Sequence, residues 1–426
     1  MKEYNFDINN QKVYYKKLNN GLDVYLLPRK AAQTFYMTFT TKYGSKYKEF
    51  IPFGENEYLN TPFGVAHFLE HKMFEQEDGT DPFEYFSSLG IGANAYTTLD
   101  NTTYLAYGST NFSNALNYLI DYVQSPYFTD ENVLKEQGII GQEITMYLDD
   151  PDSVLEEKIR YNAFLNNPIK ESIIGSKEDI ASITKETLYS CYNTFYHPHN
   201  MFIVISGNFD KDEALKVIEE NQSKKDYNNE NDTVYKIEDE PNEVVKKEEV
   251  IPMLVATPKV SLGIKIPVEK FKTMDKKTRN LYVDFVFNLM FDNTSKIYEE
   301  LSNENIIISD INVSYIDATT HLFVTITSTS NEPDIFLKRV KEELNNITIS
   351  NDDIKRRINS YVSGFIYSFE DIRNINWIIE SNIKNYNKVY TNLKQIYTSI
   401  NKKEIDKFIT KLDLSNTNSV IITKKD

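Results

Sequence analysis

The spacing of apolar and polar residues changes along the chain, and each change marks an element. Residues 13–15 and 22–27 read as strands around a turn at Asn19-Asn20-Gly21, where asparagine and glycine accept positive φ. Residues 35–43 alternate as a strand does. Past Pro62 the apolar residues recur at helical spacing up to Phe74, with Thr61 as the expected cap, Pro62 at the first helical position and only Gly64 weakening the pattern. Asp81-Pro82 opens a short helix in the same way. Residues 93–98 and 102–108 form a strand pair, followed by an amphipathic helix over residues 112–123. A further helix opens at Phe128-Thr129-Asp130-Glu131 and continues through Val133, Leu134, Ile139, Ile140 and Ile144, in spite of Gly138 and Gly141. This order predicts an α+β fold, with helices layered over a largely antiparallel sheet.

The second half repeats the first. Lys72-Met73-Phe74, a helix at Phe83-Glu84-Tyr85-Phe86, two strands and a helix lead to Thr129-Asp130. Leu289-Met290-Phe291, a helix at Ile297-Tyr298-Glu299-Glu300-Leu301, two strands (residues 311–316 and 322–328) and a helix lead to Ser350-Asn351. Phe74 to Thr129 is 55 residues and Phe291 to Ser350 is 59, so a duplicated domain is expected. Between the halves, residues 221–249 are dense in Lys, Glu, Asp and Asn and read as an exposed, extended linker. The expected division is a first domain over residues 1–220, a charged linker over 221–249 and a second domain over 250–426.

Composition narrows the function classes. A chain of 426 residues with 40% hydrophobic and 26% charged residues is that of a globular protein with more than one core. Residues 1–20 are polar and mixed in charge, without the apolar core of a signal peptide or an Arg-rich transit pattern, and no stretch is apolar enough to span a bilayer. The single cysteine, Cys191, excludes an internal disulfide framework and fits a reducing, cytoplasmic setting. A net charge of −16 argues against nucleic acid as a partner.

The candidate chemistry sits in the first strong helix. His67 and His71 are four apart, one above the other on one helical face, and Glu70 lies on the same side. Two imidazoles at this spacing can grip one zinc ion, with the carboxylate between them in reach of a water; this is the inverted motif H-x-x-E-H. The alternative is a pair of packed or solvated histidines. Cysteine ligands being excluded, a third ligand has to be a carboxylate or another histidine. Glu136 and Glu143, seven apart on the helix that opens at Thr129, point to one face. A solvated acidic face is the alternative there, but Ile139, Ile140, Ile144 and Met146 surround Glu143 with apolar residues, where an ionised carboxylate needs a partner such as a metal. His197 and His199, flanking Pro198, and His321 read as surface or structural histidines. In the second half, His67, Glu70 and His71 fall opposite Asp284, Phe287 and Asn288, and Glu136 and Glu143 opposite Arg357 and Gly364, so that copy is not expected to bind metal.

These residues resemble the pitrilysin and insulin-degrading-enzyme family of zinc peptidases, which includes the mitochondrial processing peptidases. His67-Phe68-Leu69-Glu70-His71, the glutamate 72 residues after His71, the hairpin at Leu18–Tyr25, the stretch Gly92–Thr97 and the segment from Tyr196 to Gly207 all carry the likeness, which is strong over residues 18–210. The resemblance implies half of a clamshell built from two duplicated domains, and one zinc per chain held by His67, His71 and Glu143. It implies Glu70 as the catalytic base, Glu136 as a carboxylate behind the ligands, and an edge strand at Asn94 and Ala95 that pairs with an extended peptide; for Asn94 a turn role stays open. Self-sufficient members carry an arginine and, seven residues later, a tyrosine that hold the substrate from the second half. Ser302 and Ser309 stand at those places here. A metal-bearing subunit of a heterodimer is therefore expected, completed by a related chain that lacks the zinc ligands. The alternative is a non-catalytic scaffold or partner subunit of the same fold.

Overall fold

In the computed structural model, which describes residues 1–8, 11–227 and 233–425, the strands of the first unit join into one seven-stranded sheet. Its order is Lys2–Asn5, Lys12–Lys17, Asp23–Pro28, Met201–Gly207, Phe35–Thr41, Thr102–Gly108 and Gly92–Thr97. All neighbours are antiparallel except Asp23–Pro28 with Met201–Gly207. Strand alternation divides the two faces. Phe35, Met37 and Phe39 enter the main core, while Thr38 on the other face meets a later helix. The helices Val65–Lys72 and Phe112–Val123 pack over the core face.

The helix that carries His67 and His71 begins later than its cap signals predict. It spans Val65–Lys72, with Gly64 at the N-cap in the left-handed region (φ 84°) and no side-chain cap. Thr61 instead donates its hydroxyl to the Lys48 carbonyl, 3.0 Å away. A Cβ on Gly64 would stand 2.4 Å from the Ile174 carbonyl oxygen, so close approach of a neighbouring loop sets the start of the helix. Elsewhere the cap signals hold. Asp81 accepts from the Phe83 N–H, and Thr129 and Asn132 exchange side-chain bonds with each other's backbone N–H at the head of Asp130–Asp149.

The second unit is built on a five-stranded sheet in the order Glu248–Met253, Thr417–Lys424, Lys259–Pro267, His321–Thr329 and Asn312–Asp317, with its own core. The helices Lys276–Phe291, Lys296–Asn303 and Asn351–Ser368 follow the order of their counterparts in the first unit.

The units are not the contiguous blocks expected. The first comprises Met1–Ile144, Ser172–Lys236 and Ser363–Ile396; the second comprises Thr145–Glu171, Ile237–Val362 and Tyr397–Asp426. Helix Pro151–Tyr161 lies on the second unit's sheet, where the Asn418 side chain donates to the Ile159 carbonyl at 2.8 Å. Helix Ile372–Tyr386 lies on the first unit's sheet. There Asn376 donates to the Val204 carbonyl at 3.0 Å and accepts from the Thr38 hydroxyl at 3.1 Å. Helical periodicity reports that an element has an apolar stripe, not which sheet it covers.

The charged stretch also departs from a solvated linker. Residues 221 and 222 close the helix Lys211–Gln222, and the asparagine run at 228–231 lies outside the described residues. Glu240 is buried and accepts from the Lys265 ammonium at 2.6 Å and from the backbone N–H groups of Leu165, Asn166 and Asn167 at 2.7–2.9 Å. Charge density at this position marks a buried pair with full hydrogen bonding, not a solvated surface. Burial pushes the Glu240 carboxyl up, but the lysine and the three N–H donors outweigh it and hold it below its ordinary value. Its contribution to stability is therefore present above the ordinary carboxylate range and is lost as pH falls through the depressed value. Lys265→Met leaves a buried carboxylate without its cation and is expected to cost about 3–5 kcal/mol at neutral pH, with the deficit narrowing in acid. Urea unfolding of both proteins at several pH values measures this; an equal deficit at pH 7 and in acid would refute it.

Candidate metal centre

The helix Val65–Lys72 turns Val65, Ala66, Phe68 and Leu69 into the core, which leaves His67, Glu70 and His71 on its other side. The His67 and His71 rings lie with centroids 4.6 Å apart, tilted 56° to each other. The helix Asp130–Asp149 buries Val133, Ile140 and Ile144 and brings Glu136 and Glu143 to the same place. Glu143 Oε2 lies 3.8 Å from His67 Nε2 and 3.6 Å from His71 Nε2, and one donor atom from each of the three residues falls within 4.8 Å of the others. A tetrahedral zinc with bonds of about 2.0–2.1 Å spaces its nitrogen and oxygen ligands about 3.4 Å apart, so the donor set fits the ion with little movement. Among the described residues this is the one such group of three or more.

The remaining side chains explain why these donors face one another. Glu136 Oε1 lies 2.9 Å from His71 Nδ1, which fixes the ring and directs Nε2 to Glu143. Nδ1 of His67 is buried without a hydrogen-bond partner among the described residues. Burial, and then the neighbouring His71 charge, lower the His67 pKa to about 3, so this imidazole is neutral, as a ligand must be. For His71, burial pulls the pKa down, but the Glu136 hydrogen bond and the charges of Glu136, Glu143 and Glu70 raise it overall. Glu70 is raised by burial, against the opposing pull of a Thr97 hydrogen bond and the His71 charge. A carboxyl lifted in this way is a better proton acceptor near neutral pH than a free glutamate.

Asn94 and Ala95 lie in Gly92–Thr97, which pairs only with Thr102–Gly108 and so forms a free sheet edge among the described residues. Asn94 is exposed within the strand rather than in a turn, and its Oδ1 accepts from the Ala95 N–H at 2.9 Å. That N–H is thus turned away from the neighbouring strand, toward the open edge. Two residues that pattern reading did not single out complete the surroundings. The Thr97 hydroxyl donates to Glu70 Oε2 at 2.6 Å. Glu380, buried on the later helix Ile372–Tyr386, accepts from the Tyr96 hydroxyl at 2.7 Å and the Thr103 hydroxyl at 2.9 Å. Period-two alternation alone would have set Thr97 with Ala93 and Ala95 on the core side. Glu380, 284 residues from Tyr96, carried no local signal.

The other histidines take structural places. His197 and His199 meet Nδ1 to Nδ1, and burial, then His199, lower the His197 pKa to about 4. His321 pairs with Asn242 and Thr320. In the second unit the positions opposite the metal site carry a different network. Tyr361 donates to Asp284, Asn288 donates to the same carboxylate, and Arg357 pairs with Asp292 at 2.9 Å. Cys191 is buried and its thiol is pushed up to about 12 by burial. No helix among the described residues is long and apolar enough to cross a membrane.

Comparison with known proteins gives the site its context. Residues 53–177 match the family model described as insulinase (peptidase family M16), and residues 182–361 match the one described as the peptidase M16 inactive domain. The uncharacterized zinc protease YmfH of Bacillus subtilis is 40% identical over 326 residues, 76% of this chain and 76% of that protein. An Arabidopsis thaliana protein named for subunit beta of the mitochondrial-processing peptidase is 29% identical over 208 residues, 47% of this chain and 37% of its own. The crystal structure of an M16-like peptidase from Alicyclobacillus acidocaldarius superposes with a TM-score of 0.90 at 28% identity, covering 97% of this chain and 99% of that one.

Removing a ligand and removing its support should differ in size. Glu143→Gln is expected to abolish stoichiometric zinc binding, whereas Glu136→Gln should weaken it about 10–100-fold by freeing the His71 ring. Competition with a zinc chelator, read by metal analysis, measures both. Full occupancy in Glu143→Gln would remove Glu143 from the ligand set.

Proposed function

The chain belongs to the insulinase family, peptidase M16, and from that premise we propose that it is a zinc-dependent peptidase acting on extended peptide segments. The observation that carries this reading is the convergence of His67, His71 and Glu143 on one point, beside a half-buried carboxylate, Glu70, that is not part of the donor set. His67, His71 and Glu143 would hold one zinc per chain, with Glu136 holding His71 in its tautomer. When bound, the ion supplies Lewis acidity for hydrolysis of a peptide bond. Glu70 takes a proton from the attacking water and returns it to the leaving amine, a use that suits a carboxyl lifted by burial. The substrate lies along Gly92–Thr97 as an added strand. Its carbonyl replaces Asn94 Oδ1 at the Ala95 N–H, so recognition runs through the main chain.

The second unit supports a role as one member of a pair. No arginine stands between Arg279 and Arg339. Both of those are committed, Arg279 to Asp317 and Arg339 to Glu300 and Glu304. Ser302 is exposed, and Ser309 accepts from the Thr329 N–H at 2.9 Å; neither hydroxyl matches the reach of an arginine or a tyrosine. A related chain without zinc ligands would supply those two side chains, and the reducing setting that suits one buried thiol is the cytoplasm.

Glu70→Gln should keep its zinc and lose cleavage of unstructured peptides by about 10²–10⁴-fold, because the base is gone while the donors remain. Loss of the metal in that variant would make Glu70 a structural residue. The purified chain alone is expected to be folded, zinc-loaded and nearly inactive, with activity restored by a co-encoded relative of the same fold. Full cleavage by the chain alone, unchanged on adding that relative, would sink the paired reading and leave the zinc chemistry standing.

A further inference from the structure

Glu70 is placed by contacts that belong to the edge strand and not to its own helix. The Thr97 hydroxyl lies 2.6 Å from Glu70 Oε2 and 3.2 Å from the Thr102 hydroxyl. Thr102 lies directly across the ladder from Thr97, and its hydroxyl donates to the Tyr43 carbonyl at 3.0 Å. A hydroxyl has one proton to give. Thr102 spends its own on a carbonyl that can only accept, so the Thr97 proton is the one left for the carboxylate, at the shortest distance in the chain of contacts. The direction of the bond is therefore set by its neighbours: Thr97 donates and Glu70 accepts. One carboxylate oxygen is then occupied and the other is left for work.

We propose that Thr97 is a positioning residue for Glu70, its hydroxyl holding the carboxylate in the one rotamer that presents the second oxygen to the attacking water. The inference rests on the peptidase reading above and adds a residue to it. Thr97 is suited to this by its backbone as well as its hydroxyl. It ends the strand Gly92–Thr97, where Tyr96 on the opposite face is tied to the buried Glu380. Its own methyl-bearing side chain has few rotamers in a strand. A base free to rotate would spend much of its time out of reach of the water, and misplacement of this order costs rate without costing substrate affinity.

The test compares Thr97→Val, which keeps the shape and removes the hydroxyl, with Thr97→Ser, which keeps the hydroxyl. Each is measured in whichever form of the wild type cleaves a peptide, alone or paired. Thr97→Val should lower kcat about tenfold or more while leaving KM, zinc content and melting temperature within error of the wild type, and Thr97→Ser should recover most of the loss. A crystal structure of Thr97→Val should show Glu70 in altered or multiple rotamers; this readout stands without any activity measurement. A kcat for Thr97→Val within about twofold of the wild type, Glu70 unmoved in that crystal, or Thr97→Ser as impaired as Thr97→Val would each overturn the inference. Should Thr97→Val fail to fold, Thr97→Ala carries the same expectation. A zinc-loaded wild type that cleaves no peptide in any form overturns the peptidase reading itself, and the rotamer of Glu70 then decides the placement separately.

Discussion

The hydrogen bond between His71 Nδ1 and Glu136 Oε1 is the constraint around which the first unit's site is arranged. It joins the helix Val65–Lys72 to the helix Asp130–Asp149 at a defined depth, and it leaves His71 only one nitrogen, Nε2, to face Glu143. With that bond made, the seven-residue spacing from Glu136 to Glu143 carries the second carboxylate nearly two turns along, to the level of both histidines. The same closeness is costly without an ion. One neutral imidazole, one imidazole raised in pKa by three acids, and a half-buried Glu70 share a small space. A divalent cation resolves that concentration of negative charge better than protons do, since its charge is twice as large and it is shared by three donors.

The second unit faces the same crossing of helices and solves it another way. Where the first has two histidines and two glutamates, Lys276–Phe291 and Asn351–Ser368 offer Asp284, Asn288, Arg357 and Tyr361. The guanidinium of Arg357 sits 4.7 Å over the Tyr361 ring and pairs with Asp292, so the cation at this crossing is covalently part of the chain. The Asp284 carboxyl is pushed up by burial, against the pull of the Tyr361 hydrogen bond, the Arg357 charge and the Asn288 amide. Duplication thus preserves the architectural need for charge neutralisation between the two helices, while only one copy keeps donors that a metal can use.

What was legible in the residues follows the range of the forces that write it. Helix periods, the Asp81 and Thr129 caps, the Gly21 turn and the strand pair at 93–108 are local, and they appear in the structure within a residue or two. A helix turns spacing into geometry, so four residues set His67 beside His71 and seven set Glu136 on one face with Glu143, while the meeting of the two pairs was an expectation from the family resemblance. The start of the helix that carries His67 and His71 was not legible, because Gly64 is governed by the Ile174 carbonyl, more than a hundred residues away. Glu240 was misread for a related reason. A lysine and a glutamate in a charged run look alike whether water or each other completes their hydrogen bonds, and only the fold brings Lys265 to Glu240.

The discontinuous units carry the longest-range information. Ile375, Ile379 and Ile383 recur at helical spacing and are buried, so any amphipathic reading finds the helix Ile372–Tyr386. Nothing in that spacing says that its Asn376 closes hydrogen bonds on Phe35–Thr41 and Met201–Gly207, or that its Glu380 holds Tyr96. The strand that would receive a peptide is therefore anchored on one face by a residue of the C-terminal third and on the other, through Thr97, by Glu70. A chain cut in the charged stretch would keep every zinc donor and lose that anchor. The donor set could still bind metal, but Thr38, Thr103 and Tyr96 would face water or one another instead of the side chains that now order them. The candidate metal donors all lie within Met1–Ile144, whereas the accuracy of the edge strand beside them depends on a helix that the same unit draws from Ser363–Ile396.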